Sequence, residues 1–366
     1  MSIDRRKLMS GCFAGFVVGG AAQAGAMPAF RGLTGVSRPE RLAVPANYTA
    51  AKRHQIRAHK DLIHRVHLFA NGKRAVSFGS DRYVKHWDLE TGKELGRFET
   101  KGDTSVPIGI LEHRDAVIAL GPTGKASWSS RFSLWSLSTG EQLLKSIPLI
   151  DIQNGKRFEI DTSRRIYVSD DNRHALVTGS PETHLVDLNR FEVIGRKTNA
   201  KFLEALFRAN TRRKVSGDLS TVLAENDKNE LEVWDIKTEK RRHILSGHAG
   251  SPNSHSISAD GRFATSTSHI NYKDEVVVWD LQAGKEVFRT LSLEGVAYAW
   301  AGDNGKLGFG ADSEGAKLFD LSTGKPVADL TGHTSTAYAV HLREDINMAL
   351  SAGSDGNMFV WDIKST

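Results

Sequence analysis

A histidine, a serine and an aspartate stand close together near the end of the chain. They are His333, Ser351 and Asp355, in the stretch Gly332–Asp362, which reads GHTSTAYAVHLREDINMALSAGSDGNMFVWD. Such a trio could supply a nucleophile, a general base and the carboxylate that orients the base. With 14 histidines in the chain, metal ligation is the other chemistry to weigh. The only cysteine is Cys12, so disulfides, Cys-based zinc sites and thiol catalysis are excluded from the body of the protein. Phosphate-loop, serine-elbow, His-Glu-x-x-His and haem-attachment patterns are absent.

The elements that must position the trio recur along the chain. Positions equivalent to Trp361 are Trp87 (KHWDL), Trp135 (SLWSL), Val186 (HLVDL), Trp234 (EVWDI), Trp279 (VVWDL) and Phe319 (KLFDL), at steps of 48, 51, 48, 45, 40 and 42 residues. Six steps make seven units of about 46 residues, the period of a four-stranded propeller blade. Gly92, Gly140, Gly284 and Gly324 follow Thr or Ala just after the motif, where a tight hairpin needs a residue free to take positive φ. Around Trp361, both alternating faces are largely apolar, as in a strand buried on two sides. The one helical spacing, Leu203, Leu206 and Phe207 within 200–210, marks a short insertion.

These features resemble the WD-repeat family of β-propellers, over about residues 53–366. The resemblance implies an all-β, seven-bladed propeller of WD-repeat type. It also implies a buried hydrogen-bond chain from Asp through His and Ser to the Trp indole. The matching residues are His59, Ser77, Asp81 and Trp87 in the first unit and His333, Ser351, Asp355 and Trp361 in the last, with identical offsets. The trio thereby becomes a brace for Trp361 rather than a reactive centre. The fifth unit keeps His248 and Trp279, with Asp274 as stand-in for the acid. The second, third, fourth and sixth lack the histidine and are expected to rest on packing. Arg53–Arg57 precedes the first blade and only four residues follow Asp362, so the N-terminal strand is expected to complete the last blade and close the ring. His67 and His341 share a register in adjoining blades, with His64 near. No carboxylate appears in matching register, and neither metal nor cofactor is expected. With no catalytic residue evident, the reading is non-enzymatic.

The first 26 residues read as an address. Arg5, Arg6 and Lys7 precede a weakly apolar Gly/Ala-rich segment, then the small-residue sites Ala22-Gln23-Ala24 and Ala24-Gly25-Ala26. The arginine pair resembles a twin-arginine (Tat) signal, although Lys7 and Leu8 depart from the pattern. Residues 1–26 are therefore expected to be a signal peptide, 27–50 a linker and 51–366 the propeller. The mature protein would be periplasmic or otherwise exported, with no membrane attachment after signal removal. Net charge is +6, of which the segment 1–26 supplies +2 through three cations and Asp4. So small a balance speaks against a nucleic-acid partner. The clusters Arg208/Arg212-Arg213-Lys214 and Lys240-Arg241-Arg242-His243 read as solvated faces, since no aromatics interleave them.

Residues for a partner remain. Trp128, Tyr272, Arg82 and Tyr83 fall in loops between second and third strands, which share a face with the blade entrances, and they are of the types enriched at hot spots. The reading is a scaffold or adaptor binding a protein or peptide there, as a single propeller within a complex. Alternatives are an enzyme or cofactor-bearing subunit using the central channel, or a structural subunit of an envelope complex.

Overall fold

The computed structural model describes residues 48–99, 106–122, 130–144, 149–151, 155, 157–158, 165–168, 174–178, 183–207, 213–248, 250, 252–270, 273–291, 298–302, 305–312 and 315–365. Among these residues, seven sheets follow one another as the seven blades of a β-propeller. The chain runs through blades 1 to 6 as a meander, first strand to fourth, and through the first three strands of blade 7. First strands of adjoining blades pack on one another, Ile63–Leu68 on Ala337–Arg343 and Pro252–Ile257 on Tyr298–Ala301, which places them around the central channel. Fourth strands form the rim.

Burial follows this order. The second strand Met348–Gly353 is buried at every residue, and Thr221–Glu225 likewise. The rim strand Lys240–Leu245 is exposed over most of its length. Sequence chemistry tracks the difference: MALSAG and TVLAE fit between neighbouring sheets, and KRRHIL does not. The core is accordingly divided into seams between blades. One seam joins Trp87, Leu68 and Ala75 of blade 1 to Leu350, Met358 and Val360 of blade 7. Another joins Phe359 and Trp361 to Leu318 and Leu330 of blade 6.

The ring closes through the N-terminal strand. Tyr48–Arg57 pairs antiparallel with Asn357–Ser365 and supplies the rim of blade 7. The strand is longer than the expected Arg53–Arg57. It starts inside the stretch 27–50, so the tether expected there gives way to sheet at Tyr48. The reason is visible in the pairing: Ile363 to Ser365 continue the last strand past the motif and offer partners to Tyr48, Thr49 and Ala50.

A bulge recurs at the motif. Between third and fourth strands the register slips one residue at Trp87, Trp135, Val186, Trp234, Trp279 and Phe319. Blade 7 repeats the slip between Lys52 and His54. The extra residue on the rim is Leu95, Leu143 or Ile194 in the first three blades, which explains why these apolar side chains stand exposed. A bulged rim is also a poor template for edge-to-edge pairing.

Two departures from the even period have structural causes. The longest step, Trp135 to Val186, contains an added hairpin, Leu149–Asp151 with Arg157–Phe158. Its first strand runs parallel to Glu192–Lys197 and widens blade 3 to six strands. The helical segment is Ala200–Phe207. Asn199 caps it, its Oδ1 accepting from Lys201 N (3.0 Å) and Phe202 N (3.1 Å). Phe202, Ala205 and Leu206 are its buried residues, so Phe202 takes the role expected of Leu203.

Candidate functional site

The trio that could have been catalytic is a buried brace. In blade 7, Trp361 Nε1 donates to Ser351 Oγ (2.9 Å), which lies 2.9 Å from His333 Nε2, and His333 Nδ1 lies 3.1 Å from Asp355 Oδ2. Blade 1 repeats it with Trp87, Ser77, His59 and Asp81, each contact at 2.8 Å. One proton arrangement satisfies every group. The indole donates to the serine oxygen, the hydroxyl donates to Nε2 of a neutral imidazole, and Nδ1–H donates to the carboxylate. Burial lowers the pKa of His59 and of His333, only partly offset by Asp81 and Asp355. Burial alone would raise Asp81, but bonds from His59 and the Tyr83 N–H outweigh it and its pKa is lowered. Ser77 and Ser351 are fully buried, so neither hydroxyl can meet a substrate. Gly79 is required for this packing, since a Cβ there would fall 2.5 Å from the His59 ring.

Blade 5 carries a third brace, with a different acid. His248 Nδ1 lies 2.8 Å from Glu275 Oε2, and Ser266 Oγ lies 2.6 Å from both His248 Nε2 and Trp279 Nε1. The expected stand-in, Asp274, is not the partner. Here the second and third strands run on through Phe263–Ile270 and Lys273–Asp280, so the turn that carries Asp in blades 1 and 7 is too distant. The longer glutamate reaches in from the third strand instead. Ser268 donates to it (2.6 Å), and Arg289 pairs with it from the rim.

Blades 2 and 4 do not rest on packing alone. Trp135 Nε1 donates to Ser133 Oγ (2.9 Å) and Trp234 Nε1 to Glu232 Oε2 (3.1 Å), with Arg241 holding the other oxygen of Glu232 (2.8 Å). Each acceptor sits two residues before its tryptophan and therefore on the same strand face. A serine or glutamate two residues before the tryptophan was the available signal. Blades 3 and 6, with Val186 and Phe319, have no indole at the motif position.

The Asp after the motif has its own task. Asp88, Asp187, Asp235, Asp280 and Asp320 accept backbone N–H groups of the turn that follows, for instance Thr91 N on Asp88 at 2.8 Å. No such turn follows Asp362, and Arg53 of the closing strand takes its carboxylate instead (Nε–Oδ2 3.0 Å).

At the channel, His67 and His341 meet as the register implied, ring centroids 4.9 Å apart. A carboxylate does join them, contrary to the sequence reading: Glu112 Oε1 lies 2.8 Å from His67 Nε2. It comes from the single 3₁₀ turn Glu112–Arg114 of blade 2, a register the repeat comparison does not reveal. His341 Nδ1 accepts the Leu68 N–H (2.8 Å), so this cluster ties blades 7, 1 and 2 together. Among the described residues, no group of His, Cys, Asp and Glu is arranged to hold a metal ion.

Of the partner-face residues, Arg82 and Tyr83 lie in the turn beside Asp81. Arg82 takes φ +67° and its guanidinium is 3.2 Å from Glu99, while Tyr83 N donates to Asp81 Oδ1 (3.2 Å). Trp128 and Tyr272 lie outside the described residues, as do Arg5, Arg6 and the whole segment 1–47. The cluster Lys240–His243 is engaged: Arg241 with Glu232, Arg242 with Thr221, and His243 Nε2 3.2 Å from the Gln282 carbonyl. Arg213 and Lys214, expected on a solvated face, belong instead to the channel strand Arg213–Val215 of blade 4.

With this geometry in view, comparison with known proteins is informative. The WD40 family (WD domain, G-beta repeat) matches residues 324–362. That span takes the rim strand of blade 6 with the first three strands of blade 7, so the sequence repeat and the structural blade are out of phase. The chain is similar to autophagy-related protein 16 of Arabidopsis thaliana, 28% identical over 153 residues, 41% of this chain and 30% of that protein. It is also similar to a WD repeat-containing protein 91 homolog of Dictyostelium discoideum, 24% identical over 143 residues, 37% of this chain and 19% of that protein. The chain thus spans less than a third of the length of these curated relatives. The matched family and the second relative's name are those of WD-repeat proteins, in keeping with the seven-bladed fold.

Proposed function

We propose that the protein is an exported, non-enzymatic scaffold that binds a protein or peptide through the face carrying the blade-entrance loops. The observation that carries this reading is the setting of Arg82 and Tyr83. The brace of blade 1 fixes their turn through Asp81, and the Arg82 side chain is 59% exposed. An arginine and a tyrosine held on a rigid frame meet a partner with little ordering cost. Trp128 and Tyr272 are assigned to the same face from their sequence position between second and third strands. No nucleic acid is among the proposed partners.

The test is cross-linking and pull-down from native envelope extract with the wild type and with Arg82→Ala, Tyr83→Ala, Trp128→Ala and Tyr272→Ala. The expected outcome is loss of the same partner from several variants that still melt like the wild type. Retention of every partner by all four rejects the face. Export is tested separately with Arg5→Lys/Arg6→Lys, which is expected to leave precursor in the cytoplasm. Normal export of that variant rejects a twin-arginine signal.

A further inference from the structure

The seven channel strands carry a one-sided set of charges. They read IHRVHL, VPIGIL, RIYV, RKV, PNSHSI, YAWA and AYAVHLR. Arg65, Arg165, Arg213, Lys214 and Arg343 lie on them, and among the described residues of these strands there is no Asp or Glu. Over the whole chain Lys and Arg number 49 against 43 for Asp and Glu, so the channel wall departs from a nearly even mixture.

Strand register shows where these groups gather. Leu68 and Val215 both pair with the second-strand residue that lies opposite the motif tryptophan, Ala75 opposite Trp87 and Val222 opposite Trp234. Lys214 of blade 4 therefore stands at the level of His67 in blade 1, and His341 of blade 7 shares that level. Arg65 is two residues further along its strand, at the level of Arg165 in blade 3. Lys214 is open to solvent, yet protein surrounds it: burial first, and then the charge of Arg65, lower its pKa. Its place on a strand lining the channel accounts for both facts. Arg65 also acts on His67 and His341.

Two negative groups near this level, among the described residues, are already committed. Glu112 bonds to His67 and to Ala70 N (3.0 Å). Asp345 holds Arg343 through two bonds, 3.1 and 2.7 Å. Among the described residues no carboxylate pairs with Lys214. Like charges facing one another across a narrow space cost free energy, and a low-dielectric wall focuses their field on whatever enters.

We propose that the central channel is a binding site for a small, multiply charged oxyanion of the phosphate class, held between Lys214 and Arg65. The site is separate from the partner face and does not depend on it. The two histidines, kept neutral by burial, border it as hydrogen-bonding groups rather than as cations.

The experiment is calorimetric titration of the full-length chain with inorganic phosphate and with pyrophosphate, against chloride at matched ionic strength of about 0.15 M. Melting curves are recorded in the same buffers. Saturable one-to-one binding is expected, at least tenfold weaker in Lys214→Gln and in Arg65→Gln. It should persist in Lys214→Arg, and in Lys93→Gln, a control at an exposed rim turn. In chloride alone Lys214→Gln is expected to melt at or above the wild type, because a repulsion is gone, and below it in saturating pyrophosphate. Absence of saturable binding overturns the proposal, and so does binding that both channel variants retain. A Lys214→Gln protein that melts well below the wild type in chloride also overturns it, since the lysine would then be structural.

Discussion

Blades 5 and 7 contain the same brace and are put together in opposite ways. Blade 5 is one continuous segment, with its second and third strands prolonged into an eight-residue pair on each side. Its acid, Glu275, is almost wholly buried and answers to His248, Ser268 and Arg289 at once. Blade 7 is assembled from the two ends of the described chain. Its acid, Asp355, sits at a turn and takes backbone N–H groups from Thr334 and Asn357 (3.1 and 3.0 Å), while Arg57 donates to its backbone carbonyl. One blade is held by a buried charge network, the other by strand pairing over some 300 residues. The brace is therefore a local solution to a buried indole. What secures each blade in the ring is something else.

The sharpest way to break the contrast is to remove residues 1–58. Blade 7 would lose its rim strand, its bond from Arg53 to Asp362, and the cover on Met358 and Val360. Cooperative thermal unfolding of the whole propeller is expected to disappear, because the ring would open at the 7–1 seam. An unchanged melting temperature would show that closure does not run through this strand.

A smaller effect separates the two acids. Glu275→Gln leaves a buried position facing Arg289 without its charge. It should cost about 3 kcal/mol, the low end for breaking a buried pair, since Arg289 keeps Glu286. Asp355→Asn retains an acceptor for His333 and for both backbone N–H groups, and should cost about 1 kcal/mol. Urea unfolding at pH 7.5 measures both. Equal losses would mean that Arg289 contributes nothing to blade 5.

The residues explain which of these features could be read in advance. The motif Trp, Val or Phe recurs at one place in every blade, so seven blades and ring closure were legible. The braces of blades 1 and 7 were legible because their acids lie at the same short turn. Glu275 was not, since a longer hairpin moves the turn away and the acid must come from a different strand. Glu112 was hidden for a related reason: it reaches His67 from another blade, and repeat spacing carries no information about contacts across a seam. Lys214 looked like part of a surface basic run. Only the strand pairing places it at the channel, where the neighbouring charges come from residues about 150 positions earlier in the chain.

Next in size is the indole itself. Ser77→Ala deprives both Trp87 Nε1–H and His59 Nε2 of a partner, whereas Ser133→Ala deprives Trp135 Nε1–H and removes a 3.2 Å bond to the Ala119 carbonyl, with no histidine involved. Losses of about 2–3 and about 1 kcal/mol are expected, following the cost of buried groups left unsatisfied. Replacing the tryptophan by phenylalanine in each background isolates the indole bond. Trp135→Phe should recover most of the loss in Ser133→Ala. Trp87→Phe should recover only part in Ser77→Ala, because His59 stays unpaired. Full recovery in both would reduce the brace of blade 1 to a simple indole acceptor.

The smallest effect is in pH, and its sign follows from burial. His341 is held well below its ordinary value of 6.5, by burial first and then by the charges of His67, Arg343 and Arg65. Its folded pKa lies under the unfolded one, so the stabilisation is full above about pH 6.5 and is lost as pH falls toward the folded value. The groups around it sharpen that loss. His67, which is also lowered, faces it across the 7–1 seam, and Glu112 offers its counter-charge to His67, to which it is bonded. A proton on His341 Nδ1 would also displace the Leu68 N–H that now bonds there. Blade 5 differs, because Glu275 stands directly against His248 and opposes the downward shift. His341→Gln, which can still accept from Leu68, is expected to flatten the fall in urea midpoint between pH 7.5 and 5.5 more than His248→Gln does. If His248→Gln flattens it equally, the acid sensitivity belongs to the braces in general, and the seam where the two ends meet holds no special share of it.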